Sequence, residues 1–306
     1  MYYPKPKHIG GTLIRSVVSL LRKQGVELPL KNPVWIAVSG GSDSVALAHL
    51  LVHYGRRVVA REQIQILHIH HGWRPRAADL DQKRVESLAK KWKIPCHTVH
   101  LDPGHLKKGE SWEDAARKER GKVFSEINRK NERVLTAHHA DDLAETVIWR
   151  LATGCFNSHA GGILVNDEST GQIRPLLNIR KPLLQAYLRE EKTRWREDRT
   201  NQDPRFLRAR MRKELMPAIE AIFPNAIEHL VNLALAKQGE KDDQAPEIPA
   251  KLLPALLQTR LKRQHYEWLL RERAYGNQMD LPGNWVLKCE HSNLKKTKRW
   301  VLERSL

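Results

Sequence analysis

The feature that most constrains the fold is an alternation of short apolar runs with longer segments of helical periodicity. Four runs of about five residues are too short for typical helices, and each is followed by a helical pattern: 34–38, 64–69, 96–101 and 133–137. This alternation is typical of a parallel β-sheet covered by helices on both faces. Because ligands of such sheets bind beyond the carboxyl ends of the strands, we expect the functional site at that edge.

The net charge of the chain indicates a polyanionic partner. The 306 residues include 53 Lys and Arg against 35 Asp and Glu, a formal charge of +18. Such an excess destabilises a compact chain through self-repulsion, and it is typical of proteins that bind nucleic acid. With 41% hydrophobic residues and nine tryptophans the chain can bury a large core, which excludes wholesale disorder.

The cysteines and the hydropathy pattern indicate a protein of the cytoplasm. Cys96, Cys155 and Cys289 are odd in number and far apart, so they match neither a disulfide framework nor a Cys-x-x-Cys metal site. No apolar run reaches the roughly 18 residues that a membrane span needs. We therefore expect no association with a membrane.

The length predicts more than one domain, at about 100–200 residues per domain. After an amphipathic helix over 12–23, the alternation continues to residue 152. A glycine-containing loop or flap follows over 153–171, and one last strand is expected at 174–177. We predict an N-terminal α/β domain over 1–179, a helical region over 180–237, a linker over 238–250 and a small basic α+β domain over 251–306.

The helical region and the last domain have patterns of their own. Helical spacing of apolar residues resumes over 180–191 and 206–237. The linker combines charges and two prolines with few apolar residues. Beyond it we predict a helix over 252–275 and two strands over 285–289 and 299–302 around a polar turn.

The strongest local motif is a glycine-containing turn between the first predicted strand and the helix over 45–53. Its residues are Ser39, Gly40, Gly41, Ser42, Asp43 and Ser44. The glycines let the backbone approach an anion, and the amides and dipole of a helix N-terminus attract it. The alternative is an ordinary Gly-Gly turn in which Ser39 or Ser42 caps the helix. The strand–turn–helix context favours a phosphate site, and the missing lysine of Gly-x-x-x-x-Gly-Lys-Ser/Thr argues against a P-loop NTPase.

This turn resembles the loop of ATP pyrophosphatases, which cleave ATP between its α and β phosphates. Further segments follow in a fixed order: 67–74, 113–117, 136–146, 174–177, 197–201 and 206–212. In this order and spacing, residues 30–235 resemble the tRNA(Ile)-lysidine synthetase family. The resemblance implies a parallel-sheet domain of the adenine nucleotide alpha hydrolase-like type. It makes 1–179 an ATP pyrophosphatase-type catalytic domain and 180–237 a helical region that contacts tRNA.

The resemblance also implies a reaction. The family uses ATP, with Mg²⁺, to adenylate the 2-carbonyl oxygen of the wobble cytidine in an isoleucine tRNA. Free lysine then displaces AMP, which leaves lysidine and, from the first step, pyrophosphate. The implied partners are therefore isoleucine tRNA with an unmodified wobble cytidine, free lysine and ATP.

The resemblance assigns roles to residues at the predicted site. The implied catalytic residues are Asp43, Arg117, His138, Asp142 and Glu145. ATP is assigned to the turn, Ser39, Gly40, Gly41, Ser42, Asp43 and Ser44, together with His70. Asp43, Asp142 and Glu145 are assigned to lysine, and Asp43 also to Mg²⁺. Asp142 and Glu145 are three residues apart and so share a helical face, which suits an ammonium or a magnesium ion.

Structural interpretations of the same residues remain open. Asp43 is also a first-turn acid that complements the helix dipole, and Asp141 is favoured as the N-cap of its helix. His138 and His139 are also compatible with core or surface positions. Glu113 and Arg117 are four residues apart, the spacing of an exposed ion pair within a helix.

Basic residues near position 210 and near the C-terminus predict the RNA contacts. Residues 174–214 contain 13 Lys and Arg against 6 acids. Such clusters neutralise phosphates and give salt-sensitive binding, although many charge runs are simply solvated surfaces. The predicted tRNA-binding residues are Arg205, Arg208, Arg210, Arg212, Lys295, Lys296 and Lys298.

The flap over 153–162 departs from the family pattern. Family members typically carry an arginine at the position of Thr153 and glycines at the positions of Phe156 and His159. The alternatives are therefore another adenylating tRNA-modifying enzyme, with a different amine or target, and a tRNA-binding protein without catalysis. A thiolating enzyme is disfavoured because the chain lacks paired cysteines.

Overall fold

The computed structural model describes residues 8–70, 72, 75–101, 112–153, 162–196, 207–239, 278–281, 285–292 and 297–304. The chain divides into two compact units, Met1–Glu240 and Lys241–Leu306, called here the first and the second unit. The domain boundaries expected from the sequence stay predictions.

The first unit is built on a mostly parallel sheet. Its described strands are β1 (Val34–Ala37), β2 (Ile64–His70), β3 (Cys96–His100), β4 (Arg133–Leu135), β5 (Asn166–Asp167) and β6 (Gln172–Ile173). They lie in the order β3-β2-β1-β4-β6-β5, and every pairing is parallel except the antiparallel pair of β5 and β6. This confirms the predicted α/β class, with β1 to β4 inside or close to the four apolar runs.

The helices of the first unit lie before, between and after these strands along the chain. Their bounds are α1 (Ile9–Lys23), α2 (Ser42–Tyr54), α3 (Pro75–Trp92), α4 (Trp112–Arg129), α5 (Ala140–Ala152), α6 (Lys181–Glu190), α7 (Leu207–Arg210), α8 (Met216–Ile222) and α9 (Ala226–Gly239). Within the described residues, none of them is long and apolar enough to cross a membrane.

The core fixes the helix that carries the glycine-containing turn. Val34 and Ile36 of β1 are fully buried, and ten of the 13 residues of α2 are buried as well. Because α2 is enclosed over most of its surface, its first turn is held rigidly at the carboxyl end of β1. The core therefore positions the predicted phosphate site.

Two predictions about secondary structure are wrong in detail. The last parallel strand is β6, which ends at Ile173, so the expected strand at 174–177 is displaced by two residues. Pro175 has no N–H with which to continue a ladder. The predicted helix over 206–237 is divided: a π-helical turn, Met211–Leu215, follows α7, and the chain turns at Pro224 between α8 and α9.

The second unit contains a three-stranded antiparallel sheet in its described residues. The strands β7 (Gln278–Leu281), β8 (Trp285–Ser292) and β9 (Thr297–Arg304) lie in that order. β8 and β9 contain the two runs predicted as strands, whereas β7 is too short and polar to stand out in the sequence. The predicted helix over 252–275 and linker residues 240–250 lie outside the described residues, and residues 238 and 239 end α9.

Candidate active site

The glycine-containing turn forms a closed loop around one serine hydroxyl. The amide of Ser39 donates to Oγ of Ser44 at 3.1 Å, and this Oγ donates to the carbonyl oxygen of Gly41, also at 3.1 Å. Gly41 is the N-cap of α2, so the amides of the first helical turn lack helical partners beside the loop. The local structure is therefore that of an anion-binding helix N-terminus.

Gly40 is the residue of the loop that requires glycine. Its φ is +94°, a conformation that residues with a Cβ rarely adopt. Its carbonyl oxygen accepts a hydrogen bond of 3.0 Å from the amide of Arg196, whose guanidinium lies 2.9 Å from Oδ1 of Asp81. Arg196 thus fixes the backbone of the loop at Gly40.

A cleft of ≈ 240 Å³ opens at the carboxyl ends of β1, β2 and β4. Its lining includes residues of the loop, of α4, of the β4–α5 connection and of the first turn of α5: Ser39, Gly41, Asp43, Ser44, Arg120, Phe124, Thr136, His138 and Asp142. The structure thus brings together, at the expected edge, six of the residues predicted to form the site.

Three acids from α2 and α5, the carboxylate cluster (Asp43, Asp142 and Glu145), already contact cations of the chain itself. Nζ of Lys181 lies 3.0 Å from Oδ2 of Asp43. The guanidinium of Arg212 binds both oxygens of Glu145, with Nε at 2.7 Å and Nη2 at 2.8 Å, and Nη2 lies 3.4 Å from Oδ1 of Asp142. The cluster is therefore arranged to bind organic cations.

His139, between β4 and α5, joins the members of this cluster. It is the N-cap of α5 and forms a capping box with Asp142: Nδ1 of His139 accepts from the amide of Asp142 at 3.3 Å, and Oδ2 of Asp142 accepts from the amide of His139 at 3.1 Å. With Nδ1 acting as acceptor, the proton of the neutral ring is assigned to Nε2, which lies 3.6 Å from Oδ2 of Asp43 and 3.4 Å from Oδ2 of Asp142.

The charges of this cluster shift the pKa values of its members in opposite directions. Burial opposes the charged form of Asp43, but the hydrogen bond and charge of His139, together with Lys181, hold the pKa of Asp43 well below its usual value. Burial also opposes protonation of His139, yet the hydrogen bond to Asp43 and the nearby carboxylates raise the pKa of His139. Asp43 is therefore ionised at neutral pH.

Asp141 is not the N-cap that the sequence favours. Its Oδ2 accepts from the amide of Lys181 at 2.8 Å, and its Oδ1 accepts from Nε of Arg180 at 2.9 Å. Asp141 thereby binds the first turn of α6 and places Lys181 beside Asp43. Arg180 continues the network to Glu220 at 2.7 Å and Glu228 at 3.2 Å.

The opposite wall of the cleft is basic. His138 is half-buried, with Nδ1 3.1 Å from Oγ1 of Thr136, and burial together with the charges of Arg174 and Arg120 lowers the pKa of His138 to about 3. His138 is therefore neutral at physiological pH. Arg120 lines the cleft, whereas Arg117, one helical turn earlier, is exposed and does not line it. The catalytic role of Arg117 stays a prediction, and Arg120 is a basic residue of the cleft that the sequence did not single out.

Other predicted residues lie elsewhere. His70, predicted to bind ATP, is buried with Nε2 3.0 Å from Oδ1 of Asp79 and does not line the cleft.

The residues predicted to bind tRNA lie in both units. The guanidinium carbon of Arg208 lies 5.8 Å from the ring centroid of Trp149, and Arg210 pairs with Glu214 at 3.3 Å. Arg205, Lys295 and Lys296 lie outside the described residues, and Lys298 lies in β9.

Ser42 of the loop contacts the carboxylate cluster. Oγ of Ser42 donates to Oδ1 of Asp43 at 2.9 Å.

The carboxylates beside the loop are the candidate metal ligands. The described residues contain no group of three or more His, Cys, Asp or Glu side chains that could hold a metal ion. Magnesium in nucleotide sites, however, is usually bound by one or two carboxylates and the phosphates of the substrate. Asp43 and Asp142, which both line the cleft beside the loop, fit that requirement.

Comparisons with known proteins identify similar chains. Residues 14–219 match the PP-loop domain family. The tRNA(Ile)-lysidine synthase of Thermus thermophilus is 36% identical over 241 residues, which cover 78% of this chain and 45% of that protein. The tRNA(Ile)-lysidine synthase of Deinococcus radiodurans is 35% identical over 236 residues, or 76% of this chain and 38% of that protein. The alignments thus span less than half of the length of these relatives.

A solved structure supports the fold. The U34-tRNA thiolase of Methanococcus maripaludis, determined with its 4Fe-4S cluster, superposes with a TM-score of 0.58 at 17% sequence identity, covering 80% of this chain and 87% of that one. At this identity the likeness is one of fold alone.

Proposed function

Since this chain belongs to the PP-loop family, we propose that its cleft uses ATP to join lysine to the 2-position of the wobble cytidine of isoleucine tRNA, with AMP and pyrophosphate as by-products. The observation that carries the proposal is a phosphate-binding loop directly beside three carboxylates that hold a lysine ammonium and an arginine guanidinium of the chain. The names of the curated relatives, at 33–36% identity, support the same reaction. The cytoplasmic location expected from the cysteines is part of this proposal.

In the first step the loop orients ATP. The amides at the N-terminus of α2 bind its phosphates, and Arg120 on the opposite wall supplies positive charge that stabilises the developing charge of the transition state. The cytidine oxygen attacks the α-phosphorus, the bond to the β-phosphate oxygen breaks, and pyrophosphate leaves. Magnesium, held by Asp43, Asp142 and the phosphates, would neutralise phosphate charge.

In the second step the carboxylate cluster binds the substrate amine. A lysine side chain has a pKa of about 10.4 and arrives as an ammonium. We expect this ammonium to take over contacts that Lys181 and Arg212 make in the structure described. Once a proton is removed, the amine attacks C2 of the adenylated cytidine, and AMP departs with the C–O bond electrons.

Of the two neighbouring histidines, His138 is the one that can accept this proton. His139 is occupied on both ring nitrogens, because Nδ1 accepts from the amide of Asp142 and Nε2 carries the ring proton that faces Asp43 and Asp142. The raised pKa of His139 also favours its protonated form. The lowered pKa of His138, about 3, keeps the ring of His138 neutral at physiological pH, and His138 lines the cleft. A general base needs an unprotonated acceptor atom within reach of the substrate. We therefore assign the proton to His138, and we assign His139 to holding Asp43 and Asp142 in position.

The test is a reaction with purified full-length chain, ATP, magnesium, lysine and isoleucine tRNA that bears an unmodified wobble cytidine. We expect AMP release that depends on both lysine and tRNA, with one radiolabelled lysine incorporated per tRNA. Incorporation of ornithine or another amine in preference to lysine would assign the altered flap a different substrate. Binding of tRNA without any AMP release would reject catalysis and leave a binding protein.

A further inference from the structure

A second cavity of the first unit lies on α1, well away from the phosphate loop. It has a volume of ≈ 330 Å³ and is lined by five residues of α1 and one residue of the short 3-10 turn after α2: Arg15, Val18, Ser19, Arg22, Lys23 and Arg57. We call it the α1 pocket. Among the residues that the structure describes, its polar lining consists of four cations and one hydroxyl and includes no carboxylate.

The helix geometry explains why these cations converge. Arg15, Ser19, Arg22 and Lys23 are spaced by four, seven and eight residues, which places them on one face of α1. The opposite face buries Leu13 and other apolar residues in the core, so the helix cannot rotate the cations apart. Arg57 joins them because α1 packs against α2.

The described part of the chain does not neutralise this group of charges. α1 contains no acid, and the first acid of the sequence is Glu27, which pairs with Lys31 at 2.9 Å. Among the described residues, none of the four cations of the α1 pocket forms an ion pair; Arg15 bonds only to Oγ1 of Thr12, at 3.1 Å. Four like charges at one cavity repel one another, and an anion removes that cost.

Stabilisation of the helix accounts for only part of the arrangement. Arg22 and Lys23 lie in the last turn of α1, where cations complement the helix dipole. Arg15 lies in the middle of the helix, and Arg57 belongs to another element, so the dipole explains neither. The convergence of all four therefore points to a ligand.

We infer that the α1 pocket binds a phosphate group of an RNA backbone. Guanidinium groups bind phosphate oxygens in pairs, lysine adds a point charge, and the hydroxyl of Ser19 is a further donor. The four cations and Ser19 are exposed, and the cavity is larger than one phosphate needs, which suits a chain of nucleotides better than a small free anion. The choice of RNA as the polyanion rests on the proposed function.

The α1 pocket and the phosphate loop lie at opposite ends of one helix. The loop opens α2, the turn carrying Arg57 follows its end, and 13 residues at 1.5 Å each separate the two by about 20 Å. RNA held in the α1 pocket therefore meets the protein far from the reacting cytidine, and removing the pocket's charges leaves the chemistry intact.

The test removes the four charges while retaining polar side chains of useful length. The pocket variant carries Arg15→Gln, Arg22→Gln, Lys23→Gln and Arg57→Gln. Its matched control carries Lys90→Gln, Lys91→Gln, Arg129→Gln and Lys130→Gln, which removes the same charge from exposed residues near the ends of α3 and α4. Binding of unmodified isoleucine tRNA to each full-length chain is measured across a range of salt concentrations.

We expect the pocket variant to bind tRNA at least about tenfold more weakly at low salt, with a salt slope reduced by about 0.7–0.9 for each phosphate that it no longer neutralises. The control should stay close to wild type. Equal weakening in both variants would overturn the inference, because it would show an effect of net charge alone. Should the pocket variant not fold, Arg15→Gln and Arg57→Gln are measured singly, and unchanged salt slopes in both would contradict the inference as well.

Inorganic phosphate separates the two sources of the ligand. Phosphate binding to the wild type and to the pocket variant is measured by calorimetric titration. If the pocket variant loses phosphate binding but keeps the tRNA affinity of the wild type, the ligand of the pocket is a free anion and not RNA. Weaker tRNA binding at an unchanged turnover rate under saturating tRNA is the result expected. If wild type forms no lysidine but the pocket variant still binds RNA more weakly, the proposed function fails and the α1 pocket remains an RNA site.

Discussion

The two ends of α2 carry charge in opposite ways. At its N-terminus, Asp43 belongs to a carboxylate cluster in which every acid contacts a cation supplied by α6 or by the π-helical turn. Beyond its C-terminus, Arg57 belongs to a cluster of cations for which the described chain supplies no counter-ion. The first site has its charges balanced without a ligand, whereas the described residues leave the charges of the second site for a partner to balance.

This difference has consequences for how each end works. A substrate ammonium at the carboxylate cluster replaces a cation that already contacts the acids, so binding exchanges one set of contacts for another. A phosphate at the α1 pocket neutralises charge that repels itself in the free protein. Binding there should depend strongly on salt, because each RNA phosphate that the pocket neutralises releases a counterion into solution.

The largest expected effect comes from removing the charge at the N-terminal end. Asp43→Asn keeps the shape of the side chain but removes the negative charge that contacts Lys181 and His139 and that is assigned to magnesium and lysine. We expect lysine-dependent AMP release to fall by about 10²–10⁴-fold, the range typical of losing a group that acts on proton transfer or developing charge. The measurement is AMP release under saturating tRNA.

The control for this variant is Glu62→Gln, which removes an exposed acid from the 3-10 turn before β2. Its turnover should match wild type. The affinity of Asp43→Asn for tRNA should also be unchanged, since the RNA contacts lie elsewhere. If Asp43→Asn keeps the turnover of the wild type, the negative charge of Asp43 is not needed for the reaction. The N-terminal end of α2 would then not be a catalytic site that differs from the α1 pocket.

A smaller effect is expected from the backbone of the loop. Gly40→Ala places a Cβ on a residue with φ of +94°, and left-handed conformations cost a residue with a Cβ about 1–2 kcal/mol. If this strain opens the loop, affinity for ATP falls by about tenfold, since 1.4 kcal/mol corresponds to a factor of ten. ATP affinity is measured by calorimetry.

Gly121→Ala is the matched control, because Gly121 lies within α4 and a Cβ there meets no atom within 4 Å. It should stabilise the fold by about 0.5–1 kcal/mol without changing ATP affinity. Unchanged ATP affinity in Gly40→Ala would mean that the loop tolerates strain and that its conformation does not set phosphate binding.

The sequence predicts the phosphate loop at the N-terminus of α2, but it does not predict which cations contact the neighbouring carboxylates. The alternation of strands and helices and the pair of glycines lie in continuous segments, so the loop and its place at the sheet edge follow from local patterns. Lys181 and Arg212 reach the carboxylates from 138 and 67 residues away along the chain, a proximity that no local pattern encodes.

His139 and the α1 pocket illustrate two further limits. The capping box at the start of α5 uses a histidine in place of the usual serine or threonine, so the sequence signature of a capping box is absent. The spacing of Arg15, Arg22 and Lys23 on one helix face is visible in the sequence. The contribution of Arg57 depends on how α1 packs against α2, which the sequence does not specify.

The smallest effect concerns the ion pair between Arg212 and Glu145, and a double-mutant cycle with Arg212→Gln and Glu145→Gln measures it. The bidentate geometry and the small exposure of Glu145, 14%, favour a coupling free energy of about 1 kcal/mol, limited by the 50% exposure of Arg212. The control pair, Arg210 and Glu214, lies on the surface within one helical turn and should couple by about 0.3–0.5 kcal/mol. Urea unfolding of the variants gives both values. Equal coupling free energies would mean that Arg212 stabilises Glu145 no more than Arg210 stabilises Glu214 on the surface. The negative charge of the carboxylate cluster would then be largely uncompensated before lysine binds, and the contrast with the uncompensated cations of the α1 pocket would be lost.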